Sequence, residues 1–267
     1  MDELFHSLDP VAFQVGGFMV RWYGIAYIIG FACASIVLVL VARRWKIQVE
    51  ADKVLACILC GIVGIIIGAR LGYVLFYGNG YYWSNPLKIF AIYEGGMSFH
   101  GGFIGGLIGG FFGSKIMEIK YLRLLDLAFI GVPIGLFFGR CANFINGELW
   151  GAPCDLPWAV NFGGLAGNIP RHPSQLYEAI LEGLVLFAIM FILSRKVPPY
   201  KEGTYFAVFC ICYGVFRFAV EFVREPDAQL GYIAFDWLTM GQLLSVPLVI
   251  LGVGILIFNI KQKNLKK

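Results

Sequence analysis

Seven apolar stretches, over residues 22–42, 54–76, 97–117, 124–138, 179–193, 204–223 and 238–258, decide what this chain can fold into. A hydrocarbon core about 30 Å thick takes roughly 20 residues of helix, and most of the stretches meet that length. The fourth and fifth are short as purely apolar runs and are expected to recruit flanking residues. Charge is correspondingly scarce: 14% of residues are Asp, Glu, Lys or Arg and 59% are hydrophobic, where a soluble domain has about 25% charged residues. The expected fold is an all-α polytopic membrane protein of about seven transmembrane helices. It is expected to be a single integral membrane domain over residues 1–267, with a small extramembrane cap inserted at about 139–178. The middle of that interval is rich in Gly and Pro and reads as turns and short extended pieces.

The opening "MDELFHSLDP" is acidic, whereas a secretory signal peptide opens on a basic region. The first apolar stretch is therefore expected to be a permanent helix. Basic residues set the orientation. Arg43, Arg44, Lys46 and Lys53 follow the first stretch; Lys115, Lys120 and Arg123 follow the third. Arg195, Lys196 and Lys201 follow the fifth, and Lys261, Lys263, Lys266 and Lys267 the seventh, which makes 14 of the 21 Lys and Arg. The even-numbered junctions hold Lys88, Arg171 and Arg224. Positive charge stays in the cytoplasm, so the N-terminus is expected outside and the C-terminus inside. The net charge of +4 is then mostly a cytoplasmic rim and calls for no nucleic acid.

Cysteine and glycine patterns both point to packing. Cys57 and Cys60 form a C-x-x-C inside an apolar helix, without a second pair or a nearby histidine, and read as small buried hydrophobes. Cys141 and Cys154 fall on the expected outer side, and the sequence leaves open whether they pair. Gly64, Gly68 and Gly72 recur every four residues, as do Gly101, Gly105, Gly109 and Gly113. On a helix each set makes a smooth ridge that lets a neighbouring backbone come close.

Polar residues inside such a chain are the candidates for chemistry, because a charge at mid-bilayer costs about 2.5–3.5 kcal/mol or more. "GRCANFINGELWG", residues 139–151, brings Arg140, Asn143, Asn146, Glu148 and Gly151 together directly after an uncharged run. Tyr213, Arg217 and Glu221 stand at i, i+4 and i+8 and share one helical face. With the N-terminus outside, Arg21, Tyr23, Arg70, Tyr73, His100, Arg140, Arg217 and Glu221 are all expected in the outer half of the membrane. Independent helix locks have no reason to gather at one depth, so a site is expected there. Several arginines near the headgroups suit a phosphate, since the planar guanidinium binds two oxygens and stays charged. A membrane-embedded phosphate is most simply a phospholipid. His100, flanked by glycines, has the right pKa range to move a proton. No metal-ligand spacing and no Ser-His-Asp pattern is present, so neither a metal nor another cofactor is expected. A transporter or flippase for an anionic lipid or solute is the other class that buried arginines and glycine ridges suit, but a transport path needs polar residues on both sides of the membrane.

The same residues carry a resemblance. "GRCANFINGELWG", "RWYG" at 21–24, "GGMSFHGG" at 95–102, "RHPSQLYE" at 171–178, "YGVFRFAVEFVREPDAQ" at 213–229 and "MGQLLSVP" at 240–247 together resemble the bacterial prolipoprotein diacylglyceryl transferases. The likeness covers nearly the whole chain in order; Ala142 departs from it, where glycine is common. It implies a multi-pass protein of the bacterial plasma membrane with its site near the outer leaflet. The implied reaction moves the diacylglyceryl group of phosphatidylglycerol to the lipobox cysteine thiol of a prolipoprotein, held by its signal peptide, and releases glycerol phosphate. Arg140 and Arg217 are then expected to stabilise charge growing on the phosphate, and His100 to take the thiol proton. Tyr23, Asn143, Asn146, Glu148, Gly151 and Tyr213 would surround the headgroup, with Glu221 orienting Arg217.

Overall fold

A helix lies over each of the seven apolar stretches. The structure is a computed structural model that describes residues 1–78, 80–92, 95–226 and 231–264. A short helix α1 (Asp2–His6) and an antiparallel hairpin, β1 (Val11–Val15) with β2 (Phe18–Arg21), lead into α2 (Trp22–Arg44). Then come α3 (Ala51–Tyr77), one turn of α4 (Tyr81–Ser84), α5 (Phe99–Ile116) and α6 (Tyr121–Asn146). The two-residue strands β3 (Val160–Asn161) and β4 (Pro170–Arg171) pair antiparallel before α7 (Ser174–Glu178). A π-helical segment, Ala179–Val185, joins α7 to α8 (Leu186–Ser194); α9 (Thr204–Val220) and α10 (Met240–Asn264) complete the chain. Among the described residues, five helices are long and apolar enough to cross a membrane: Trp22–Arg44, Ala51–Phe76, Tyr121–Asn146, Ser174–Ser194 and Met240–Gln262. Thr204–Val220 is a shorter apolar helix. The protein is a helical, multi-pass membrane protein.

The two short stretches do recruit their flanks. α6 begins before Leu124 and continues through Arg140 and Asn143 to Asn146, because nothing breaks it until Gly147 takes the left-handed conformation at φ +64°. Gly147 N–H donates to Phe144 O (3.0 Å) and Glu148 N–H to Asn143 O (3.1 Å), the paired bonds of a Schellman ending. Between α6 and α7 the chain leaves the α-helix over residues 147–173, with a single 3-10 turn at Gly164–Ala166. It folds around Phe144, Val160, Phe162 and Ala166, with Phe5 of α1 packed against them.

By contacts the described residues form two compact units, one of residues 1–45 with 126–267 and one of residues 46–125. In the second unit the glycine ridges meet as expected. A Cβ added at Gly64 or Gly68 on α3 would collide with the backbone of Gly105 or Gly101 on α5, and the converse holds. Cys57 and Cys60 continue the α3 side of this seam against Gly113 and Gly109. All seven cysteines, Cys141 and Cys154 included, are free thiols.

The first unit is tied together by buried polar contacts. Asp126 on α6 accepts hydrogen bonds from the backbone N–H groups of Gly203 (2.9 Å), Tyr205 (2.9 Å) and Phe206 (3.0 Å). A carboxylate from one helix thus caps the N-terminus of another, satisfying donors that α9 cannot satisfy itself. Phe129 packs its ring between Phe206 and Phe209 at centroid distances of 4.8 and 4.7 Å. Gly131 and Gly30 let α2 and α6 approach until a Cβ would no longer fit between them.

Candidate active site

α6, α7, the π segment and α9 each contribute charge to one buried cluster. Arg140 Nε lies 2.8 Å from Glu178 Oε2, and its Nη2 is 3.4 Å from Glu182 Oε2. Arg217 pairs with Glu178 through Oε1 and with Glu221 through Oε1, and its Nη1 is 4.0 Å from Glu182 Oε1. Arg224 Nη1 donates to Glu221 Oε1 at 3.2 Å and its Nε lies 3.9 Å from Glu178 Oε1. The Glu178 and Glu182 side chains are fully buried, while Arg140 and Arg217 keep 17% and 12% of their side-chain surface exposed. Three arginines thus face three glutamates, and the cluster is neutral when all six are charged. Buried charges persist only when paired in this way.

Glu221 is held most fully. Thr239 and Gln242 form a capping box at the start of α10: Gln242 N–H donates to Thr239 Oγ1 (3.2 Å) and Thr239 N–H to Gln242 Oε1 (3.0 Å). The Thr239 hydroxyl proton goes to Glu221 Oε2 at 2.6 Å. Glu221 therefore accepts from Thr239, Arg217 and Arg224.

The Schellman ending of α6 builds the other half of the site. By bringing residue 148 back over residue 143 it lets Asn143 Nδ2 (2.8 Å) and Asn146 Nδ2 (3.1 Å) both donate to Glu148 Oε1. Asn146 Oδ1 is buried without a hydrogen-bond partner among the described residues. Tyr23, in the first turn of α2, shares a hydrogen bond of 3.0 Å with Tyr27 and lies within electrostatic reach of Glu148 and Arg140. Tyr213 stacks on Phe209 at 5.6 Å, one turn before Arg217 on the same face of α9. Gly151 donates to His172 O at 2.9 Å, and its carbonyl takes a bond from Arg171 Nη1 at 3.2 Å. A Cβ there would lie 2.5 Å from His172 Cβ and 2.6 Å from the carbonyl oxygens of His172 and Val223, so glycine is obligatory.

Of the four arginines expected together, Arg140 and Arg217 meet on one carboxylate. Arg70 belongs to the 46–125 unit and is committed there, donating to the carbonyls of Lys88, Ile89, Gly95 and Gly96. A loop without its own ladder needs such a donor. Arg21 is exposed at the end of β2. His100 sits in the first turn of α5, and its side chain lies outside the described residues. Among these, groups of three or more His, Cys, Asp or Glu able to hold a metal are absent.

Sequence reasoning missed Glu178, Glu182, Thr239 and Arg224 as site residues. The first two stand at i and i+4 in "YEAILEGLVLF", the same spacing as Arg217 and Glu221, and the π segment that carries Glu182 is of a kind frequent at functional sites. In the sequence Arg171 and Arg224 count only as junction charges. Both are buried or nearly so: Arg171 is bonded to Ala166 O, Gly151 O and Glu225, and Arg224 to the cluster. His172 Nδ1 lies 3.2 Å from the Tyr177 hydroxyl, and burial holds its imidazole below the usual value.

Residues 10–258 match the family model described as prolipoprotein diacylglyceryl transferase. A curated phosphatidylglycerol–prolipoprotein diacylglyceryl transferase of Solidesulfovibrio magneticus is 47% identical over 255 residues, covering 94% of each chain. One from Geobacter sulfurreducens is 46% identical over 259 residues, covering 97% of this chain and 98% of its own. A third, from Pseudomonas putida, is 46% identical over 248 residues and 92% of each chain.

Proposed function

The chain belongs to the prolipoprotein diacylglyceryl transferase family, and on that premise we propose that the Arg140–Glu178–Arg217 cluster is its active centre. The protein is a transferase: it moves the diacylglyceryl group of phosphatidylglycerol to the lipobox cysteine thiol of a prolipoprotein, forming a thioether and releasing glycerol phosphate. The thiol sulfur attacks a glyceryl carbon as the carbon–oxygen bond to phosphate breaks. Negative charge then grows on the phosphate oxygens, and a group that binds it better in the transition state than in the ground state accelerates the step.

One observation carries the assignment: guanidinium groups from two helices converge on a single carboxylate, Glu178. A guanidinium has five N–H donors, and the carboxylate contacts of Arg140 engage two of its nitrogens. Both arginines are therefore fixed in place yet retain donors and exposed surface for a phosphate. Asn146 Oδ1 offers an acceptor to a headgroup hydroxyl, with Asn143 and Glu148 holding the wall beside it and Tyr23 and Tyr213 lining it. His100 takes the thiol proton; a free cysteine, pKa about 8.5, is only a few per cent thiolate near pH 7. Gly151 forms an isolated antiparallel bridge with Arg224 and accepts a hydrogen bond from Arg171, which ties the cap to the chain beside the cluster.

The seven helices are read as seven spans with the N-terminus outside and the C-terminus cytoplasmic, supported by the placement of basic residues. The centre then faces the outer leaflet of a bacterial plasma membrane, where an exported prolipoprotein passes. The test is turnover by purified protein in detergent, without a sealed membrane. Phosphatidylglycerol and a lipobox peptide should give glycerol phosphate and lipidated peptide in equal amounts, and omitting the peptide should stop both. A transporter would give neither.

A further inference from the structure

The three buried carboxylates are unequally held. Glu221 accepts from Thr239, Arg217 and Arg224. Glu178 has one oxygen hydrogen-bonded to Arg217; the other has no hydrogen bond of good geometry among the described residues but sits in a close ion pair, 2.8 Å from Arg140 Nε. Glu182, equally buried, has one long contact of 3.4 Å to Arg140 on Oε2. Its Oε1 has no hydrogen-bond partner among the described residues and lies 4.0 Å from Arg217 Nη1. The charged and titratable groups that face it are Arg140 on α6, Glu178 on α7, and Tyr213 and Arg217 on α9.

A neutral cluster cannot take in a phosphodiester anion in a low-dielectric site without a compensating charge. The cheapest compensation is a proton on the carboxylate that loses least by becoming neutral, and that is Glu182. We propose that Glu182 takes up a proton when the phosphodiester binds between Arg140 and Arg217, and donates it to the leaving glycerol phosphate. This rests on the phosphate-binding role given to those arginines above.

The step balances. The sulfur–carbon bond forms as the carbon–oxygen bond breaks, and the electron pair stays on the phosphate oxygen. The thiol proton goes to the general base that deprotonates the thiol. The nascent dianion, whose second pKa is about 6 in water, takes the proton from Glu182 and departs as a monoanion. Glu182 is again a carboxylate, and the cluster is again neutral.

The test compares wild type, Glu182→Gln and Glu182→Asp as full-length protein in detergent, with phosphatidylglycerol and a lipobox peptide across pH. A general acid must be protonated, so wild-type kcat should fall as pH rises through the Glu182 pKa. Glu182→Gln should lower kcat roughly 100-fold, abolish that alkaline limb, and leave the phosphatidylglycerol KM within about twofold. Glu182→Asp should restore part of the rate together with the limb. In the wild type, adding phosphatidylglycerol alone should raise an infrared band of a protonated carboxyl, displaced by the Asp variant. A Gln variant with wild-type kcat overturns the proposal. So does one whose loss lies wholly in KM, since Glu182 would then only anchor Arg140. If the Gln variant does not fold, the infrared band and the Asp variant decide, and a wild type without the band overturns it. Unaltered phosphatidylglycerol KM in Arg140→Gln would instead remove the phosphate reading itself, a separate outcome.

Discussion

The Thr239 hydroxyl donates to Glu221 at 2.6 Å while accepting from Gln242 N–H, so its single proton has one place to go. The start of α10 thereby fixes a carboxylate that in turn fixes Arg217. Thr239→Val keeps the shape and removes the donor. It should lower kcat about tenfold with a small change in KM, and Thr239→Ser should recover it. A Val variant with full turnover would show that Arg217 needs no such support.

Arg140→Lys keeps a positive charge near Glu178 but loses the planar fork that reaches Glu178 and Glu182 from different nitrogens. Turnover should fall about 100-fold with the protein still folded in detergent. Near-normal activity with lysine would reduce Arg140 to a point charge.

Charge parity makes the next prediction. Arg217→Gln leaves the cluster one negative charge in excess, and Glu221→Gln leaves one positive; each should destabilise by about 3–5 kcal/mol. The double substitution retains Arg140 and Arg224 against Glu178 and Glu182, so thermal stability should largely return. Activity should not return, because the phosphate has lost one of its two guanidiniums. A stable, active double variant would remove Arg217 from the chemistry.

Gly151→Ala places a methyl group against backbone that has no room to yield. Destabilisation of roughly 1–3 kcal/mol is expected, read as a lower unfolding temperature together with reduced turnover. Wild-type behaviour in both would contradict the close packing of His172 and Val223 on this residue.

Orientation can be tested directly. Leu165 is 98% exposed within the cap, so Leu165→Cys should react with a membrane-impermeant thiol reagent added outside intact cells. A reporter active only in the cytoplasm should work when fused after Lys267. The opposite pattern would place the cluster at the inner leaflet and break its link to exported proteins.

What could be read in the sequence follows from which contacts are local. Arg217 and Glu221 are four apart on one helix, so their pairing is visible in spacing alone. The sharing of Glu178 by Arg140 and Arg217 depends on how separate helices turn toward each other, which no periodicity records. Asn143 and Asn146 could be singled out as polar residues in an apolar setting. Their common partner, Glu148, depends on a helix ending that hinges on the left-handed Gly147. Arg70 was conspicuous for the same reason as Arg140, yet its donors go to loop carbonyls, and side-chain type does not distinguish the two uses. Glu178 and Glu182 have the same four-residue spacing as Arg217 and Glu221, but the apolar run they border is long enough to count as a span and hides it.

The bond from Asp126 to the start of α9 works as a common zero mark for two rods. From that mark Arg140 lies fourteen residues along α6 and Arg217 thirteen residues beyond Thr204 along α9, about 21 Å and 20 Å at 1.5 Å per residue. The guanidiniums arrive level because the two lengths agree. A residue inserted in either rod beyond the mark would change the length by only about 1.5 Å but rotate everything past it by about 100°. The guanidinium end is thus set from the opposite end, and a fault at Asp126 would be felt as misalignment at Arg140 and Arg217 with every residue of the cluster itself unchanged.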